Sequence, residues 1–145
     1  RELSTVETSV DAATGKLVET ERPLVGAVKM GQTVRVRLFV TVSKNATVEH
    51  VNIEDRFPVG FAVVEAAPEM DWLFLRGWSY WSSAREVHDD KVVFFASNLP
   101  LMHPDGGSTF EYRYDLRAEQ VGRFLAIPAT AEAVYTPDVN GRSDG

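Results

Sequence analysis

The sequence predicts an all-β domain, an antiparallel β-sandwich of about seven to nine strands. Three observations carry that expectation: period-2 alternation wherever a pattern is visible, turn residues between the short runs, and no window of eleven or more residues with a 3.6-residue period. Leu3–Val10 and Lys16–Thr20 flank Asp11-Ala-Ala-Thr-Gly15, a short loop suited to a hairpin. From Thr33 to Ser43, residues Val34, Val36, Leu38, Val40 and Val42 share one face. Thr33, Arg35, Arg37 and Thr41 point the other way, towards water, with Phe39 the one apolar exception. Val48–Phe57 reads as the next strand, whereas Phe61–Ser83 fits no regular pattern. Ala84–Val87 and Lys91–Ser97 are joined through Asp89-Asp90, whose side chains suit a tight turn by bonding the backbone. Phe110–Glu119 alternates strictly, setting Phe110, Tyr112, Tyr114, Leu116 and Ala118 against Glu111, Arg113, Asp115, Arg117 and Glu119. Arg123–Ile127 and Glu132–Tyr135 are the last strand candidates. Ala129–Val134 tolerates helix but is short and follows Pro128, and the tail 138–145 is expected to be loose.

With 145 residues, the chain is expected to form one domain over 1–145, long enough to bury a core unaided. Fifteen basic and twenty-one acidic residues give a net charge of −6, which argues against nucleic-acid binding, since phosphate recognition wants a basic face. No apolar run approaches the ~18 residues of a membrane-spanning helix. The absence of cysteine removes disulfides, thiol nucleophiles and thiolate metal sites together. The chain begins at Arg1 without the charged and apolar regions of a signal peptide, and is read as a piece of a longer polypeptide.

The catalytic inventory is sparse. His50, His88 and His103 are widely separated, and no metalloprotease, nucleophile-elbow or phosphate-loop motif occurs, so neither a metal nor a cofactor is expected. His50 falls at a polar strand position and reads as solvated. The adjacent carboxylates Glu54 and Asp55 face opposite sides of a strand, which is not the facing pair a glycosidase needs. A small hydrolase would have to use Asp89, Asp90 or His88. Trp72, Trp78 and Trp81, with Tyr80, cluster in the irregular stretch; on a β-sandwich they suggest a carbohydrate-binding or adhesion module. The same rings would also pin a long loop over an open end of the core, the commoner use of large aromatics.

Several segments resemble bacterial alpha-2-macroglobulin-like proteins, specifically their last macroglobulin domain. Glu86–Ala96 (EVHDDKVVFFA) is similar to that family's R-D-D-R-V-x-x-F-A stretch, and Phe110–Ala118 to its Y-x-Y-x-x-R-A strand. Gly122–Pro128 resembles G-x-F-x-x-P-P, Ala131–Pro137 resembles A-E-x-M-Y-x-P, and Gly141–Ser143 matches G-R-S. Lys29–Val34 and Glu54–Phe61 echo the family's V-G-D-x-V and D-x-L-P-A-G-F. The matches run in the family's order from about Lys29 to Ser143. Departures are His88 and Lys91 for the two arginines, Ala129 for the second proline, and Val134 for the methionine before the tyrosine.

The resemblance implies a macroglobulin-like, Ig-like sandwich without catalytic activity, in a large extracytoplasmic protein of the periplasm or cell envelope whose parent is often lipid-anchored. Such proteins trap proteases after cleavage of a bait region, and many carry a thioester. The implied partners are the thioester-type domain of the same chain and, through the parent, target proteases. The family's Met-Tyr pair shields the thioester from water, and its positions here are Val134 and Tyr135.

Overall fold

The alternation between Val34 and Val42 and between Phe110 and Leu116 builds the centre of one sheet, and the runs around Val51 and Phe94 build the centre of a second. The computed structural model describes residues 1–43, 48–64, 84–99 and 108–144. In chain order the strands are β1 (Glu2–Val10), β2 (Leu17–Pro23), β3 (Thr33–Val42), β4 (Val48–Arg56), β5 (Phe61–Val64), β6 (Ala84–Val87), β7 (Lys91–Leu99), β8 (Ser108–Ala118), β9 (Thr130–Ala133) and β10 (Asn140–Arg142). They pair antiparallel in two five-stranded sheets, ordered β2-β1-β3-β8-β5 and β10-β9-β4-β7-β6. The all-β antiparallel sandwich is therefore as expected. The described strands number ten because Arg123–Ile127 is lost while the short β5 and β10, absent from the sequence reading, are gained.

The β3–β8 register places Val34 opposite Leu116, Val36 opposite Tyr114, Leu38 opposite Tyr112 and Val40 opposite Phe110. All eight face inward as expected, seven buried and Val40 partly so. Across the layers, the Phe94 ring lies 5.3 Å from that of Tyr112 and 6.3 Å from that of Tyr114, tilted against both. One continuous buried cluster draws on both sheets, so the chain carries its own core.

The β1–β2 hairpin closes as read. Asp11 Oδ1 accepts the Ala13 and Thr14 amides at 2.7 and 3.1 Å, and Gly15 takes the left-handed φ of 65°. β1 covers only half of β3, from Glu2 opposite Arg37 to Val6 opposite Thr33. Among the described residues, no strand pairs with Leu38–Val42 on that side.

Several details differ from the sequence reading. Arg35, assigned to the solvent face, is buried. Its Nε and Nη2 each donate to Asp115 at 2.9 Å, and its Nη1 to Glu19 at 3.1 Å. Neighbouring Arg37 donates to Glu21 at 2.7 Å. β2 thus lays two carboxylates over the arginines, which alternation within β3 alone does not reveal. Phe61–Val64, read as irregular, pairs with β8 as an edge strand. Arg123–Ile127 is not a strand, because the Phe124 ring turns in to meet Phe61 at 6.4 Å and lies over Gly60. The strand expected at Glu132–Tyr135 sits two residues earlier, leaving Val134 and Tyr135 in a turn. The supposedly loose 138–145 tail includes β10, and the Ser143 amide donates to the Ala129 carbonyl at 2.9 Å.

Candidate functional site

β9 ends at Ala133, and the next residues form a corner held by backbone bonds. The Thr136 amide donates to the Ala133 carbonyl at 3.2 Å, and the Ala133 amide to the Val139 carbonyl at 3.0 Å. The corner is tied to β4 as well, because the Val134 amide donates to the His50 carbonyl at 2.8 Å. His50 is the only non-glycine with positive φ among the described residues, at 52°. A left-handed conformation is unfavourable for most L-residues by roughly 1–2 kcal/mol, and histidine is among the types that tolerate it best. The His50 and Tyr135 rings meet edge to face, 5.2 Å apart and at 87°.

The resulting surface is apolar and open. Tyr135 is 76% exposed, Val134 45% and Val139 47%. Beside it, a cleft of about 540 Å³ opens between β9–β10 and the half of β3 that β1 does not pair. Leu38, Val40 and Val42 form one wall and Ala131, Ala133 and Val139 the other, so Ala133 and Val139 border both cleft and corner.

The remaining candidates are placed as follows. Glu54 and Asp55 do face opposite sides. Glu54 accepts Lys91 Nζ at 2.7 Å, and that bond, with Arg56, holds its carboxyl below the ordinary range despite partial burial. Asp55 lies on the core face in register with Val51 and Ile53, fully buried. The Tyr114 hydroxyl donates to one of its oxygens at 2.8 Å and the Arg1 guanidinium to the other at 2.6 Å. Burial pushes the Asp55 carboxyl up and outweighs the opposing pull of Arg1 and Tyr114. Desolvation, with Asp55 adding to it, likewise drives the Tyr114 hydroxyl far up.

His88, Asp89 and Asp90 lie exposed in the β6–β7 turn. The Asp90 carboxylate pairs with Arg56 across the strands, while His88 Nε2 stands 3.4 Å from Glu86 rather than beside either aspartate. Among the described residues, no three His, Asp or Glu side chains gather as a metal-binding group. Trp72, Trp78, Tyr80 and Trp81, and also His103, lie outside the described residues.

The structure thus brings together Val134, Tyr135 and His50. The sequence singled out the first two through a family resemblance and read His50 as a solvated strand residue. Its one available signal was residue type, since histidine accepts a left-handed backbone better than its β-branched neighbours.

The family model of the bacterial alpha-2-macroglobulin MG10 domain matches residues 2–138. A Yersinia pestis protein described as an alpha-2-macroglobulin homolog is 26% identical over 137 residues, covering 81% of this chain and 6% of that protein. Among solved structures, Escherichia coli alpha-2-macroglobulin activated by porcine elastase superposes with a TM-score of 0.64 at 18% identity. A mutant of Salmonella alpha-2-macroglobulin gives 0.63 at 15% identity. Each match covers 99% of this chain and 13% of the other. The chain therefore spans a small part of these relatives, and at such identities the solved structures speak for the fold.

Proposed function

The chain belongs to the bacterial alpha-2-macroglobulin MG10 domain family, and on that premise we propose that it is a non-catalytic interaction domain that docks Val134 and Tyr135 onto a thioester-type domain of its parent polypeptide. The parent is a protease-trapping protein outside the cytoplasm, in the periplasm or cell envelope, and this domain stands at its C-terminal end. Docking keeps water and small nucleophiles from the thioester until protease cleavage releases it.

The observation that carries this reading is the Tyr135 ring, 76% exposed at the tip of a turn whose backbone is tied on both sides. A large aromatic held out from a braced backbone loses little conformational entropy when a partner covers it, and such rings anchor interfaces. Val134 adds apolar area beside it, with less reach than the methionine of the family pattern.

Tyr135→Ala tests the proposal. The change should leave the melting temperature of the 145-residue chain nearly unaltered, because little of the side chain is buried there. In the full-length parent it should speed the reaction of the thioester with methylamine by about tenfold or more, taking roughly 2 kcal/mol for a buried aromatic anchor. A large stability loss with no change in methylamine reactivity would overturn the proposal, as would a parent that takes up no methylamine at all.

A further inference from the structure

The left-handed residue in β4 leaves the pairing of β4 with β7 unshifted. Glu49 pairs with Asn98 and Val51 with Ala96, so the β4–β7 register is the same before and after His50, and no residue is inserted. The unusual φ of 52° is not needed to shift strands. On the other flank, the His50 carbonyl receives the Val134 amide at 2.8 Å, extending the β4–β9 register one position beyond Val51 opposite Ala133. The imidazole stands edge to face with the Tyr135 ring at 5.2 Å. Both contacts fall on the two residues of the docking surface. Backbone conformations of this kind persist where surrounding structure imposes them, and they cluster at working sites.

We propose that His50 is a positioning residue for Tyr135: its carbonyl anchors the corner through the Val134 amide, and its ring, carried on a left-handed backbone, supports the tyrosine ring in the outward orientation that docking requires. The proposal rests on the docking reading above and adds a third residue to that surface. His50 acts through Tyr135, so its effect should vanish when that ring is absent.

The test uses two His50 variants that keep the backbone at ease. His50→Gly accepts positive φ freely, and His50→Asn accepts it better than most residues. Both lack the aromatic ring contact, and His50→Gly should leave the melting temperature unchanged or raise it. In the 145-residue chain, NMR of Tyr135 should show shifted ring resonances and averaged χ1 couplings in both variants. In the full-length parent, each should speed the methylamine reaction about twofold to tenfold, the range expected for losing one aromatic edge contact. Added to Tyr135→Ala, His50→Gly should give no further acceleration. A Tyr135 spectrum unmoved by either variant overturns the proposal. So does an acceleration by His50→Gly that persists in full on the Tyr135→Ala background, since His50 would then be acting on the neighbour directly. If the spectrum moves but Tyr135→Ala leaves methylamine reactivity unchanged, the docking reading has failed, and the role assigned to His50 fails with it for that identifiable reason.

Discussion

Replacing Asp55 gives the sharpest test of the energetics of this core. The residue is fully buried in a strand face otherwise occupied by Val51 and Ile53, and it holds two donors, the Tyr114 hydroxyl at 2.8 Å and the Arg1 guanidinium at 2.6 Å. Asp55→Ala leaves both donors without their acceptor, and the Arg1 side chain is itself only 7% exposed. Breaking a buried pair from one side costs about 3–5 kcal/mol. Tyr114→Phe removes a single bond to a charged acceptor and should cost about 1.5–3 kcal/mol. Asp55→Asn keeps an oxygen for Tyr114 but carries no charge, and so isolates the titration. Because burial raises the folded-state pKa of Asp55, the folded protein holds that proton more tightly than the unfolded chain. The resulting stability is fully present below the ordinary carboxylate pKa of ~3.9 and is lost as pH rises through the raised value. Urea unfolding of wild type and Asp55→Asn at pH 4 and pH 7 should therefore show a cost that shrinks towards neutrality. The other carboxylates titrate alike in both proteins and cancel. A cost that grows with pH would refute the reasoning, because attraction to Arg1 would then outweigh desolvation. A cost for Asp55→Ala below about 1 kcal/mol would mean that water reaches the carboxylate.

Two further substitutions check the packing. Leu38→Ala should cost about 2–5 kcal/mol in denaturant unfolding, the range for truncating a buried leucine, and a variant as stable as wild type would show that β3 presents its other face to the core. At Gly60, an added Cβ would meet the ring of Phe124, so Gly60→Ala should cost about 1–3 kcal/mol through that displaced ring. Restoring the lost stability by pairing it with Phe124→Leu would confirm that ring as the obstacle.

The central strands were legible because a strand with one face in a core and one towards water alternates in sequence, and β3 and β8 do so over ten and eleven residues. β5 was hidden because Phe61–Val64 is apolar throughout and opens a stretch of no clear period. The burial of Arg35 was hidden because its partners come from other strands: Glu19 is 16 positions away and Asp115 is 80. A pattern within one strand reports which side a residue faces, not what another strand lays over that side. Asp55 shows the converse: the sequence set it only opposite Glu54, while the structure puts it on the core face with Val51 and Ile53. At the candidate site, family-like spacing pointed to Val134 and Tyr135, while the His50 contact depends on a single dihedral angle that no spacing encodes.

The half-covered length of β3 separates two properties usually treated as one. Leu38 and Val42 are buried as side chains, being 3% and 5% exposed, yet among the described residues their stretch of β3 pairs with a strand on only one side. In an antiparallel ladder successive backbone groups point alternately to the two flanks. Between Leu38 and Val42, every second amide therefore points away from β8, towards the flank where no described strand pairs, while the Leu38 and Val42 side chains stay buried. Hydrogen exchange along β3 would consequently follow the flank and not the core: slow at consecutive positions through Thr33–Arg37, then alternating slow and fast beyond.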